Sequence, residues 1–222
     1  MMIKFEYIQT YGWEAAIRGM RNPLNSWDRS DSIYKDGGCV IGKNDFELMQ
    51  KLIKAGASHS KFMRFITVTM DITAPLYFWK EYDTYKVGTV ANSCSTMHKI
   101  HSKPFSIDDF SHEHLNDHGT AFLLEETIRE LNALQELHSI CTDPIVKKDI
   151  WWQIIQTLPQ SYNQRRTVLL NYAVLANIYS QRKTHKLDEW RKFCTLIETL
   201  PYAVLITKNF EDIPDEKGNT DI

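Results

Sequence analysis

Between Thr89 and Thr96 the chain places two threonines, an asparagine, two serines and a cysteine within eight residues. Hydroxyls and amides at that density can donate and accept hydrogen bonds in several directions, as the oxygens of an anion require. The stretch belongs to a longer run, residues 74–99, that opens on Pro75, Tyr77, Phe78 and Trp79 and then loses hydrophobic periodicity. A loop of that length beside an apolar body is either functional or disordered, and the aromatics before it argue against disorder. The expectation is one wall of an anion- or nucleotide-binding pocket. Turn residues bonding their own backbone are the plainer alternative.

Other residues invite chemistry and are weighed the same way. Arg18 and Arg21 are three apart, so one helical turn can aim both guanidiniums in the same direction; solvated surface charge is the plainer reading. His98, His101, His112, His114 and His118 suggest a metal, yet only His114 and His118 have i, i+4 spacing, amid Asn and Gly. No metal site is expected, and solvated loop histidines are the default. Cys39, Cys94, Cys141 and Cys194 are about 50 residues apart with no paired spacing. They read as reduced thiols of a cytoplasmic protein. A net charge of −2 with no basic cluster argues against nucleic acid. No run approaches the length of a membrane span, and the N-terminus does not read as a signal peptide.

The elements that must carry these groups follow from periodicity. Residues 3–9 alternate as a strand, Gly12 breaks it, and residues 13–20 form a helix. Asn44 or Asp45 should cap a helix over 46–55 that Gly56 stops. Residues 63–72 alternate and are β-branched, a strand with Arg64, Ile66, Val68, Met70 and Ile72 outward and both faces partly covered. Residues 120–139 form an amphipathic helix with Phe122, Leu123, Thr127, Leu131, Leu134 and Leu137 inside. Asp143 and Pro144 start the next helix, over 145–157. The longest helix candidate spans 164–182, followed by one over 188–200. Trp151, Trp152 and Trp190 have core spacing, and Arg165 and Arg166 read as surface. These elements give an α+β domain over 1–209, a mixed sheet with long helices, and an acidic flexible tail over 210–222.

Several segments resemble the flavin-dependent thymidylate synthases, over roughly residues 13–201. Ala16-Ile17-Arg18-Gly19-Met20-Arg21 is similar to the family's early Arg-x-x-Arg segment. Lys51-Leu52-Ile53-Lys54-Ala55-Gly56, with His59 three residues on, is similar to its helix and Gly-His. Ala74-Pro75-Leu76-Tyr77-Phe78 matches its Ala-Pro-aromatic run, and Asn92-Ser93-Cys94-Ser95 keeps the Asn-x-x-Ser of its signature. Residues 167–177 with Arg182 are similar to its Asn-x-Arg-x-Leu-x-Asn-x-x-x-x-Arg helix. Departures are Tyr85-Lys86-Val87 at the Arg-His-Arg of the signature, Ala173 for the arginine between the helix asparagines, and Glu81 for a glutamine.

The resemblance implies a homotetramer in which subunits share sites, binding FAD and dUMP and using NADPH and methylenetetrahydrofolate as cosubstrates. It implies flavin contacts at His59, Asn92, Asn171 and Asn177, and substrate contacts at Arg182, Ser95, Glu81 and Arg21. Arg182 would grip the nucleotide phosphate, since its planar fork bonds two oxygens at once. On one helix Asn171 and Arg182 would share a face, and Arg182 would meet the Ser95 loop across a cavity. Ser95 is a catalytic candidate, as is Cys94, whose thiol could replace the lost flavin residues as nucleophile; a buried inert cysteine is the plainer reading. Two functions stand: a one-carbon transfer to a dUMP-like pyrimidine nucleotide, and a non-catalytic nucleotide-binding homologue that has lost flavin chemistry.

Overall fold

The first strand, β1 (Lys4–Tyr11), ends at Gly12, whose backbone takes φ +88° and passes so close to Phe65 that a Cβ would lie 1.9 Å from its carbonyl oxygen. No side chain fits there, so the chain bends and helix α1 (Trp13–Arg21) begins. The structure, a computed structural model, describes residues 3–35, 38–96, 100, 102–116 and 119–208. After α1 come β2 (Ile33–Lys35) and β3 (Gly38–Val40), an antiparallel pair, and α2 (Lys43–Lys54). Then follow β4 (Thr67–Pro75), α3 (Leu76–Tyr82), β5 (Val90–Ser93), α4 (Thr120–Ile140) and α5 (Pro144–Thr157). The described chain closes with β6 (Asn163–Asn171), α6 (Tyr172–Arg182), α7 (Asp188–Glu198) and α8 (Val204–Thr207).

The fold is α+β with a mixed sheet whose strand order is β1-β4-β6-β5. The chain divides into two compact units, one of Met1–Tyr7, Met70–Thr84 and Ala91–Val168, the other of Ile8–Thr69, Tyr85–Val90 and Leu169–Ile222. No helix among the described residues is long and apolar enough to cross a membrane. The tail over 210–222 lies outside the described residues, as do His98, Lys99, His101 and His118.

In the first unit α4 packs on α5 around Leu124, Leu131, Leu134, Ile150 and Ile154, with Ile100, Phe105 and Phe110 joining them. Two amides on α4 hold the polar segment before it. Asn132 accepts from the Phe105 N–H at 2.7 Å and donates to its carbonyl, and Gln135 donates to the Ile100 and Lys103 carbonyls. The buried face of α4 is only partly the expected one: Leu131 and Leu134 are buried as expected, but Phe122, Leu123 and Leu137 are exposed. The cap of α5 is as expected, the Asp143 carboxylate accepting from the Ile145 and Val146 N–H groups. Trp152, expected in the core, is exposed, while Trp151 is half-buried against it.

The second unit is built on aromatic contacts. Trp13 meets Tyr172 and Tyr202 edge-on, each at 5.3 Å, and Phe46 lies 6.4 Å from Tyr202. Alternation put Ile66, Val68, Met70 and Ile72 on the outward face of their strand; they are buried, and Phe65 is exposed instead. The strand also starts later than expected, because residues 61–64 form a tight helical turn.

Helix α2 is capped by neither Asn44 nor Asp45. Its N-cap is Gly42, and the Asp31 carboxylate accepts from the Asn44 and Asp45 N–H groups at 2.9 and 3.1 Å. Asp45 returns the contact. Its carboxylate, 0% exposed, accepts from the Asp31 and Ser32 N–H groups and from the hydroxyls of Ser30 and Ser32. Arg21 completes this cluster with Nε 2.6 Å from Asp45 and two further bonds to the carbonyls of Ser26 and Arg29.

Candidate functional site

The expected helix over 164–182 is a strand and a helix joined at Asn171. Gln164, Val168 and Leu170 are buried at period two, the signature of a strand. Asn171 then takes an extended conformation, φ −126°, and its Oδ1 accepts from the Val174 N–H at 2.9 Å, which starts α6. Asn171 and Arg182 therefore do not share a helical face: one is the cap and the other ends the last turn.

The rest of the Asn171 amide is also engaged. Its Nδ2 donates to the carbonyls of Val87 and Gly88 at 3.2 and 3.3 Å, and the residue is 3% exposed. Gly88, at φ +69°, brings its backbone so near that a Cβ would sit 2.8 Å from Nδ2. Asn171 thus ties the loop before β5 to the start of α6.

At the other end of α6, Arg182 is half-buried among rings. Its guanidinium carbon lies 4.8 Å from the Trp190 ring centre and 5.7 Å from that of Tyr85, and its Nε donates to the Tyr85 hydroxyl at 2.8 Å. Tyr85 is buried and packs against Trp190 with ring centres 5.8 Å apart. The Tyr85 hydroxyl donates to Gln181 Oε1 at 2.9 Å, and Gln181 Nε2 donates to Asn177 Oδ1 at 3.0 Å. Sequence reading met Tyr85 only as a departure from an arginine; nothing in its neighbourhood signalled a partner 97 residues away.

The remaining expected ligands are placed as follows. His59, in the second unit, is exposed beyond the end of α2. Arg21 is 4% exposed with its donors spent on Asp45 and the loop, whereas Arg18 is exposed and only 3.7 Å from Glu14 in a surface pair. The two guanidiniums thus serve different ends. A cleft of about 490 Å³ runs beside the first turn of α1 and the β2–β3 hairpin, lined by Tyr11, Glu14, Arg18, Tyr34 and Lys35 among others. It contains none of the ligands that the resemblance implies.

In the first unit the expected loop is in part a strand, β5, with all four residues exposed, Asn92 among them. Cys94 follows it with both backbone groups bonded: its N–H donates to the Arg165 carbonyl at 2.9 Å, and its carbonyl accepts from Gln164 Nε2 at 2.8 Å. Its side chain is exposed, against the expectation of a buried thiol, and so is Ser95. Glu81 is half-buried on α3. Arg165 and Arg166 are more than surface charge. Arg165 Nη2 sits 2.5 Å from Asp71, while Arg166 lies 4.2 Å over the Trp79 ring and 2.8 Å from Asp83. The Thr167 hydroxyl and the Arg165 guanidinium hold the Asp71 carboxyl below the ordinary carboxylate range. Among the described residues no group of three or more His, Cys, Asp or Glu side chains is placed to hold a metal ion.

No protein-family model and no curated protein matches the sequence. Solved structures do resemble the fold. A flavin-dependent thymidylate synthase from Helicobacter pylori, complexed with FAD and dUMP, matches with TM-score 0.63 and 18% identity, over 94% of this chain and 99% of the other. A second structure of the Helicobacter pylori enzyme with FAD and dUMP gives 0.60 and 18%, over 92% and 95%. A UMP/dUMP methylase from Streptomyces cacaoi, bound with 5-Br dUMP, gives 0.57 and 13%, over 89% and 88%.

Proposed function

We propose that this chain, which has the fold of the flavin-dependent thymidylate synthases, binds a pyrimidine deoxynucleotide of the dUMP kind with its phosphate on Arg182. The observation that carries the reading is the guanidinium held between Trp190 and Tyr85 with Nε bonded. A bidentate contact needs a planar fork at a set angle, and an arginine oriented in advance loses less entropy on binding than a free one. The fold neighbours bound to dUMP and to 5-Br dUMP support the same class of ligand.

Whether the chain also carries out a one-carbon transfer turns on flavin. In that reading FAD would supply the redox chemistry, methylenetetrahydrofolate the carbon and NADPH the reducing equivalents, with Ser95 and Cys94 as the catalytic side chains. The two backbone bonds that pin Cys94 while leaving its thiol exposed favour that candidate.

The residues that remain do not fit a flavin in the way the resemblance implies. Asn171 is buried and bonded to Val174, Val87 and Gly88, and Asn177 is bonded to Gln181. Tyr85, Val87 and Ala173 stand where the resemblance places arginines. Each charge-assisted bond is worth about 1.5–3 kcal/mol, so losing three would weaken a cofactor by several orders of magnitude. The reading best supported is therefore a nucleotide-binding protein on this fold that does not hold FAD through these positions.

Colour decides between the two. Purified protein is expected to be colourless and to leave added FAD unbound in an ultrafiltration assay. Yellow protein that retains flavin through gel filtration would restore the synthase reading. Self-association, as the implied homotetramer, is supported by the exposed Phe122, Leu123, Leu137, Ile140, Ile145 and Val146 on α4 and α5.

A further inference from the structure

The hydrogen bonds around Arg182 run in one direction. Asn177 Oδ1 accepts from Gln181 Nε2, which leaves Gln181 Oε1 facing the Tyr85 hydroxyl. That oxygen can only accept, so the Tyr85 O–H must donate to it. The Tyr85 oxygen is then an acceptor, and it receives the Arg182 Nε–H at 2.8 Å. The atoms joined by these three bonds thus have their donor and acceptor roles set in turn. Tyr85 is the buried member, 7% exposed, and is braced by Trp190.

From this we infer that Tyr85, oriented by Gln181, is a positioning residue that fixes the Arg182 guanidinium for the phosphate of the nucleotide. Where the resemblance has an arginine that would add charge of its own, this tyrosine fixes the plane of the Arg182 guanidinium. The inference rests on the nucleotide reading and adds to it a residue that need not touch the ligand. Its consequence is selective: disturbing Tyr85 should be felt by a ligand that carries a phosphate and not by the same nucleoside without one. A residue that merely supports the fold would affect both.

The test is calorimetric titration of the full chain with dUMP and, separately, with deoxyuridine. Tyr85→Phe keeps the ring and its packing and removes only the hydroxyl. It is expected to weaken dUMP about tenfold, the worth of one hydrogen bond to a charged group, with deoxyuridine unchanged. In an Arg182→Ala background the same change should have no further effect, because the pair acts as a unit. Gln181→Leu, at an exposed position, is expected to give a smaller loss of the same phosphate-dependent kind, and it decides the matter should Tyr85→Phe fold poorly. Undiminished dUMP affinity in both variants, or equal losses for dUMP and deoxyuridine, overturns the positioning role while the nucleotide reading stands. No dUMP binding by the unaltered protein removes the nucleotide reading and this inference with it; full binding by Arg182→Ala removes the phosphate assignment to Arg182, and this inference with it, while nucleotide binding stands.

Discussion

Arg182→Ala should lose dUMP binding by about two to four powers of ten, the value of two charge-assisted hydrogen bonds to a phosphate. The fold should persist, because the side chain ends a helix and is half-buried rather than part of the core. Some loss of stability is expected from stripping the arginine stem off Trp190, so the informative companion is Arg182→Lys. Lysine keeps the charge but cannot span two oxygens from a fixed plane. It should recover part of the affinity, leaving about a tenfold deficit. Titration with dUMP measures both, and a thermal melt of each variant establishes that the fold is intact. Affinity unchanged in Arg182→Ala would place the phosphate elsewhere.

The largest stability effect is expected at Asp45. Replacing it with Asn leaves Arg21 buried without its counter-charge, and breaking such a pair from one side costs about 3–5 kcal/mol. For a chain of this size that is a fall of about 10 °C in melting temperature. The same group gives stability a pH dependence. Burial raises the Asp45 carboxyl, but the hydroxyls of Ser32 and Ser30 and the Arg21 guanidinium outweigh it, and the result lies below the ordinary carboxylate value. The folded state therefore takes up this proton less readily than the unfolded one. The stability so contributed is complete above the unfolded value, about 4, and is lost as pH falls from there through the folded value. Urea titrations at falling pH should show the wild-type protein losing stability in that window more steeply than Asp45→Asn. Equal slopes for the two would mean that other carboxylates carry the acid response.

What could be read in the sequence was what local rules decide. Asp143 before Pro144, Gly12 after an alternating strand and the helix from Asp188 all depend on neighbours within one turn. The misreadings needed distant partners. Gln164 to Leu170 looked continuous with α6 because its apolar residues merge into a helical run, and only Asn171 as a cap separates the two. The buried face of α4 was read correctly at Leu131 and Leu134 but not at its ends, and Asn132 and Gln135 turn inward to meet backbone carbonyl and amide groups about 30 residues earlier. Arg21 looked like a ligand because its partner, Asp45, is 24 residues on. The candidate site divides the same way. Arg182 stands out through the resemblance of residues 167–182 to a family helix, whereas Tyr85 and Gln181 come into contact with it only when the chain folds back.

The close pass of Gly12 against the Phe65 carbonyl bears on how the chain tolerates variation. Tyr11 and Glu14 on either side of it are exposed and should accept many replacements, while position 12 should accept none. In a saturation library scored for soluble protein, this would appear as an empty column at position 12, beside a restricted one at the buried Trp13. It would mark a point where strand and helix are joined without room for a single added carbon.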